Sequence, residues 1–181
     1  MTSYSAQCLN KNKKDKKKIP VILIVGRSGA GKTTFIEKLI PELRKMGLRV
    51  GTIKHDVHGF EMDKPGKDSW RHKKAGSVST IISSSEKIGI VRDVDHDFTI
   101  DELLYYCTDL DIILTEGYKR EKRPKVEIFR PEVHDTPLCE GDDKLLALVS
   151  DQNQDLGVPR FGLEDVSGLA EFLIKSLKIT Q

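Results

Sequence analysis

The chain has 181 residues, 38% of them apolar and 32% charged, which suits one body with a sizeable core and leaves no apolar run near the roughly 20 residues of a membrane-spanning helix. The formal net charge of +2 is unevenly spread, because Lys11 to Lys18 holds six lysines and one aspartate while the remainder carries 24 basic against 27 acidic residues. A body of net −3 argues against a nucleic-acid partner, and the composition argues against a membrane one.

Residues 1–18 read as a lysine-rich disordered tail, with nonspecific polyanion or membrane-surface contact as the alternative, and residues 19–181 as one domain. Met1 to Asn10 lack the apolar core of a secretory signal, so the cytoplasm is the expected compartment. Cys8, Cys107 and Cys139 show no metal-ligand spacing and read as reduced, incidental thiols.

Ile19 to Val25 is the first expected strand, and Lys32 to Met46 the first helix, ended by Gly47 and bent near Ile40 by Pro41. Between them, Gly26-Arg27-Ser28-Gly29-Ala30-Gly31-Lys32-Thr33-Thr34 carries the G-x-x-x-x-G-K-[ST] pattern of a phosphate-binding loop. Glycines let the backbone turn tightly and present N–H groups to phosphate oxygens, and the helix N-terminus adds partial positive charge. Lys32 is expected to reach the β/γ-phosphates and Thr33 to offer its hydroxyl to Mg²⁺.

Leu48 to Lys54 is the second expected strand, joined to the first by a parallel crossover. His55 to Lys67 is a polar loop leading to a short helix, Asp68 to Ala75. Val78 to Ser83 and Ile88 to Val94 form a hairpin, which would add antiparallel strands to the parallel sheet. Thr99 and Glu102 make a capping-box start for a helix. Further strands are expected at Asp111 to Thr115, Lys125 to Arg130, where apolar and polar residues alternate, and Leu145 to Ser150. Residues 130–143 read as loop, and a last helix runs from about Asp165 to Leu177. The fold class is α/β: a P-loop NTPase with a mostly parallel three-layer sheet and an antiparallel hairpin.

A phosphate loop needs an acid at the end of a second buried strand for its metal, and Glu116, after the apolar run Ile112 to Leu114 and before Gly117, fits that place. Asp56, at the end of the second strand, is the candidate for positioning an attacking water or a metal-bound water, so that Lys32 and Asp56 form the candidate catalytic pair. His55, Asp56 and His58 admit two readings, a metal cluster or ordinary loop polarity. So do Lys119, Arg120, Lys122 and Arg123, a solvated basic loop or a clamp for a second anion. Asn12-Lys13-Lys14-Asp15 matches the guanine signature N-K-x-D but follows no strand, and reads as chance. Asp151, after the strand ending near Ser150, is the candidate acceptor for the guanine N1–H and amino group.

The stretches GRSGAGKTTFIEKLIPEL, TIKHDVHGFEMDKPGKDSWRHKKAG and ILTEGYK together resemble the molybdopterin-guanine dinucleotide biosynthesis protein B family, MobB, over most of Val21 to Arg130. The resemblance implies a homodimer that binds GTP with Mg²⁺, hydrolyses it weakly, and acts as an adaptor beside the pathway guanylyltransferase, MobA, with molybdopterin or the molybdenum cofactor as a further ligand. It assigns Gly26, Gly29, Gly31, Lys32, Thr33 and Thr34 to phosphate and Mg²⁺, Glu116 to the Walker-B acid, and the region from Asp56 to Trp70 to a switch. The alternative from another class is a small-molecule kinase using the same loop to move a γ-phosphate, with Arg71 or the Lys119 to Arg123 loop as its lid arginine.

Overall fold

A computed structural model describes residues 18–179 of the chain. The reading of residues 1–18 as a tail, Lys18 apart, and the chance match at Asn12 to Asp15 lie outside the described residues. In chain order the elements are β1 (Val21–Val25), α1 (Lys32–Lys45), β2 (Val50–Lys54), α2 (Asp68–Lys74), β3 (Ser79–Ser83), β4 (Ile88–Arg92), α3 (Ile100–Leu103), β5 (Ile112–Glu116), β6 (Lys125–Ile128), β7 (Leu145–Val149), β8 (Arg160–Phe161) and α4 (Val166–Ser176). They gather into two compact units, the first of residues 18–55 with 109–179 and the second of residues 56–108.

The first unit is built on a six-stranded sheet in the order β2-β5-β1-β6-β7-β8, with every pairing parallel. β1 and β2 are joined through α1 yet are not neighbours, because β5 lies between them. Alternate residues Ile22, Ile24, Ile112, Leu114, Val126, Ile128, Ala147 and Val149 pack in one core cluster with Phe35, Leu39 and Leu43 of α1 and Leu169, Ala170 and Leu173 of α4. Each large apolar side chain buried there contributes about 1.5–3 kcal/mol, which is why α1 keeps its apolar stripe at Phe35, Leu39 and Leu43. The helix runs uninterrupted through Pro41 and is capped at Met46.

β6 departs from the expected alternation of buried and exposed positions, since all four of its residues are buried. Val126 and Ile128 join the helical core, so Lys125 and Glu127 point to the opposite face. There the loop before β7 receives them. The Glu127 carboxylate accepts the backbone N–H of Leu138 at 2.5 Å and of Cys139 at 2.8 Å, and the Lys125 ammonium meets Asp142 at 2.6 Å. Cys139 is buried as a thiol; burial first, then the Glu127 carboxylate, pushes its pKa up to about 12, which leaves it protonated and unreactive at neutral pH. The two-residue strand β8 is an addition to the expected set, too short to leave a periodic signal.

In the second unit β3 and β4 form the expected hairpin, with Ile81 opposite Ile90 and Ser83 opposite Ile88. The hairpin is, however, a two-stranded sheet of its own and adds no strands to the parallel sheet. Its exposed residues include Ile81 at 61%, Ile88 at 64% and Ile90 at 45%, which share one face. The capping box at Thr99 and Glu102 is formed as expected, but its helix is one turn long and continues as the 3₁₀ turn Leu104–Tyr106. His96 bridges Asp95 at 2.7 Å and Glu102 at 2.9 Å. That contact, with the bonds to Thr99, lowers the Glu102 carboxyl to about 2, so the cap stays ionised throughout the physiological range. Among the described residues no helix is long and apolar enough to cross a membrane.

Candidate functional site

β1 lies inside the sheet, and its chain leaves the carboxyl end at Gly26 and re-enters regular structure at Lys32. The loop between is set by backbone geometry that side chains would spoil. A Cβ on Gly26 would stand 2.4 Å from the Ile128 carbonyl oxygen, so the loop starts hard against β6. Gly31 caps α1 in the left-handed region at φ 89° and supplies no side chain to the first-turn N–H groups. A helix start of this kind leaves its donors for an anion.

Lys32 folds back over the loop, its ammonium donating to the Arg27 carbonyl at 3.0 Å. The Thr33 hydroxyl lies 3.0 Å from each oxygen of the Glu116 carboxylate, across 83 residues of chain. The contact follows from the register, because β5 pairs with β1 in parallel and sets Glu116 opposite Ile24, with α1 starting just beyond. A hydroxyl and a carboxylate side by side are hard oxygen donors. They suit Mg²⁺, which takes one or two protein oxygens and fills its octahedron with phosphate and water.

Glu116 is also fixed from the β2 side. The His55 N–H donates to the Glu116 carbonyl at 2.9 Å, the His55 ring stacks on Tyr118 at 4.5 Å, and a Cβ on Gly117 would come within 2.9 Å of the His55 Cβ. Among the described residues no group of three or more His, Cys, Asp and Glu stands together to hold a metal, so the metal-cluster reading of His55, Asp56 and His58 finds no such group. Asp56 opens the second unit, where its Oδ1 accepts the His58 N–H at 3.0 Å. Asp151 follows β7, two strands from β1, and its Oδ1 accepts the Leu163 N–H at 2.7 Å. Lys119, Arg120 and Lys122 are exposed.

One wall of the loop has no counterpart in the sequence reading. The turn after β6, Arg130-Pro131-Glu132-Val133-His134, lies along the phosphate loop. His134 Nε2 donates to the Ser28 carbonyl at 2.7 Å, Val133 Cγ1 stands 3.5 Å from where a Cβ on Gly29 would be, and the Arg130 guanidinium covers Gly31, with Nε and Nη2 each 3.4 Å from the corresponding point. Arg130 Nε is buried and has no hydrogen-bond partner, a state that costs about 1–3 kcal/mol. The only signal was an arginine closing the expected strand Lys125 to Arg130, and nothing local to those residues says that the strand neighbours β1.

An all-parallel sheet with a glycine loop running from an inner strand into a helix, and a carboxylate from the adjacent strand end on the helix's second residue, defines a P-loop NTPase fold. The comparisons narrow the class. The family model described as molybdopterin guanine dinucleotide synthesis protein B, MobB, matches residues 21–151. A molybdopterin-guanine dinucleotide biosynthesis adapter protein of Haemophilus influenzae is 38% identical over 86% of this chain and 88% of its own, and one of Escherichia coli is 37% identical over 87% and 93%. A crystal structure of molybdopterin-guanine biosynthesis protein B superposes with a TM-score of 0.69 at 30% identity, covering 87% of this chain and 99% of that one. The chain belongs to the MobB family.

Proposed function

We propose that this chain is a GTP-binding accessory protein of molybdopterin guanine dinucleotide synthesis in the cytoplasm, an adaptor beside the pathway guanylyltransferase with weak GTP hydrolysis of its own. The observation that carries the nucleotide part is the Thr33 hydroxyl held on the Glu116 carboxylate beneath an uncapped glycine loop. The adaptor part is supported by relatives named as adapter proteins of this synthesis. Gly26 to Thr34 would cradle the phosphates, and Lys32 would exchange the Arg27 carbonyl for the β/γ-phosphate oxygens. Thr33 and Glu116 would hold Mg²⁺, which supplies charge neutralisation at the phosphates when bound. Asp56 is assigned to the attacking water, and Asp151 to guanine through the oxygen that Leu163 leaves open. The molybdopterin product or its precursor is the further ligand of this reading. GTP turnover measured with and without candidate acceptors, together with molybdopterin binding on the same sample, tests it. Slow GDP formation with no phosphorylated acceptor is expected, and a phosphorylated acceptor would overturn the adaptor in favour of a kinase.

Glu116→Gln removes charge from the metal pair and little else. It is expected to weaken GTP affinity about tenfold in Mg²⁺, the equivalent of ~1.4 kcal/mol, and by less than about twofold in EDTA. Equal losses in the two titrations would take Glu116 out of the metal site.

The reading includes a homodimer. A lone hairpin is marginal in water, and one that exposes Ile81, Ile88 and Ile90 on a single face has apolar surface to cover. A two-fold pairing of such faces is the commonest symmetric solution. Sedimentation at micromolar concentration is expected to give a dimer that Ile81→Asp with Ile90→Asp dissociates. A monomeric wild-type species would end the dimer reading, and a dimer surviving both changes would move the interface off the hairpin.

A further inference from the structure

We propose that Arg130 is a phosphate ligand of the nucleotide held by the loop Gly26 to Thr34, a built-in arginine that the chain supplies to its own site. The inference rests on the nucleotide reading above and adds to it a residue outside the P-loop motif. The fold delivers Arg130 there. β6 runs parallel to β1 with Val25 opposite Glu127, the Phe129 N–H is tied to the Val149 carbonyl at 2.9 Å, and the next residue emerges level with the loop.

The turn that carries the guanidinium is held closed. Val133 and His134 both donate their backbone N–H to the Arg130 carbonyl, at 3.0 and 3.1 Å. Pro131 restricts the backbone between them, and His134 pins the far end to Ser28. Against Gly31 the guanidinium meets backbone where any other residue would bring a Cβ to within 3.4 Å of Nε and Nη2. Among the described residues Arg130 makes no ion pair, and its buried Nε–H has nothing to donate to. Folding the chain gains nothing from a buried, unpaired donor on a permanently charged group. An oxyanion on the loop satisfies it, and the planar fork of arginine suits a phosphate better than the point charge of lysine. Lys32, bonded to Arg27, and Arg130 therefore supply two cations to one loop.

GTP and GDP affinities in Mg²⁺, with the melting temperature of the nucleotide-free protein, are measured for the wild type, Arg130→Ala and Arg130→Lys. Arg130→Ala is expected to weaken at least one nucleotide tenfold or more while the nucleotide-free melting temperature holds or rises, because an unpaired buried donor has been removed. Arg130→Lys is expected to recover only part of the affinity. Affinities within about twofold of wild type would overturn the assignment and leave the nucleotide reading standing. So would a weakened variant that also melts several degrees lower without nucleotide, since that marks Arg130 as a support of the loop. A wild-type protein that binds neither nucleotide would sink the nucleotide reading itself.

Discussion

Lys32→Ala is expected to lower GTP affinity by about a hundredfold or more while the nucleotide-free protein melts within a few degrees of wild type. The lysine makes one hydrogen bond to its own loop, to the Arg27 carbonyl at 3.0 Å, and an exposed bond of that kind adds no more than about 1 kcal/mol to folding. Alanine at the first helical position costs nothing in helix propensity. Against phosphate the arithmetic is different. Two unit charges about 4 Å apart near a protein surface attract by roughly 4 kcal/mol, and losing even ~2.7 kcal/mol of that is a hundredfold in affinity. Titration calorimetry beside a thermal melt reads both halves. Unchanged affinity would remove the loop from nucleotide binding, and a collapsed melt would make Lys32 a structural residue.

Glu127→Ala is expected to destabilise the fold by roughly 3–5 kcal/mol, a large share of the ~5–15 kcal/mol that holds a domain of this kind together. Glu127 is 1% exposed, and its two oxygens accept the amides of Leu138 and Cys139. Truncation leaves both N–H groups without partners, at about 1–3 kcal/mol each, and opens a cavity beside the neighbouring Lys125 and Asp142 pair. Glu127→Gln keeps one acceptor and should lose less than half as much. Urea unfolding of the three proteins decides the matter, and an alanine variant within 1 kcal/mol of wild type would show that the loop before β7 is held some other way. The change lies one position before Ile128, whose carbonyl meets Gly26, so nucleotide affinity is a useful second readout of how far the loop depends on β6.

The chain's own order of residues determined the phosphate loop, the acid at the strand end, the hairpin and the helix cap, all of them local features. The phosphate loop was legible because its geometry is made by neighbours: glycines at Gly26, Gly29 and Gly31 take backbone angles open to few other residues, and Lys32 and Thr33 follow at fixed spacing on the helix start. Glu116 was legible for a related reason, since an apolar run ending in an acid and a glycine marks a buried strand stopping at the rim of a sheet. The hairpin and the capping box at Thr99 carried their own turn and cap residues. What only the tertiary structure decided are contacts that no spacing encodes. Sheet order put β5 between β1 and β2 and put β6 on the far side of β1, and from that placement come His134 on Ser28, 106 residues apart, and Arg130 over Gly31. The same placement buries both faces of β6, which erases the alternation its sequence suggests and turns Lys125 and Glu127 into interior anchors for the loop before β7. That β3 and β4 pair only with each other belongs here as well, because strand propensity says that a segment will pair and leaves open which strand it pairs with. Local geometry is written in adjacent residues; which strand lies next to which depends on packing of the whole chain.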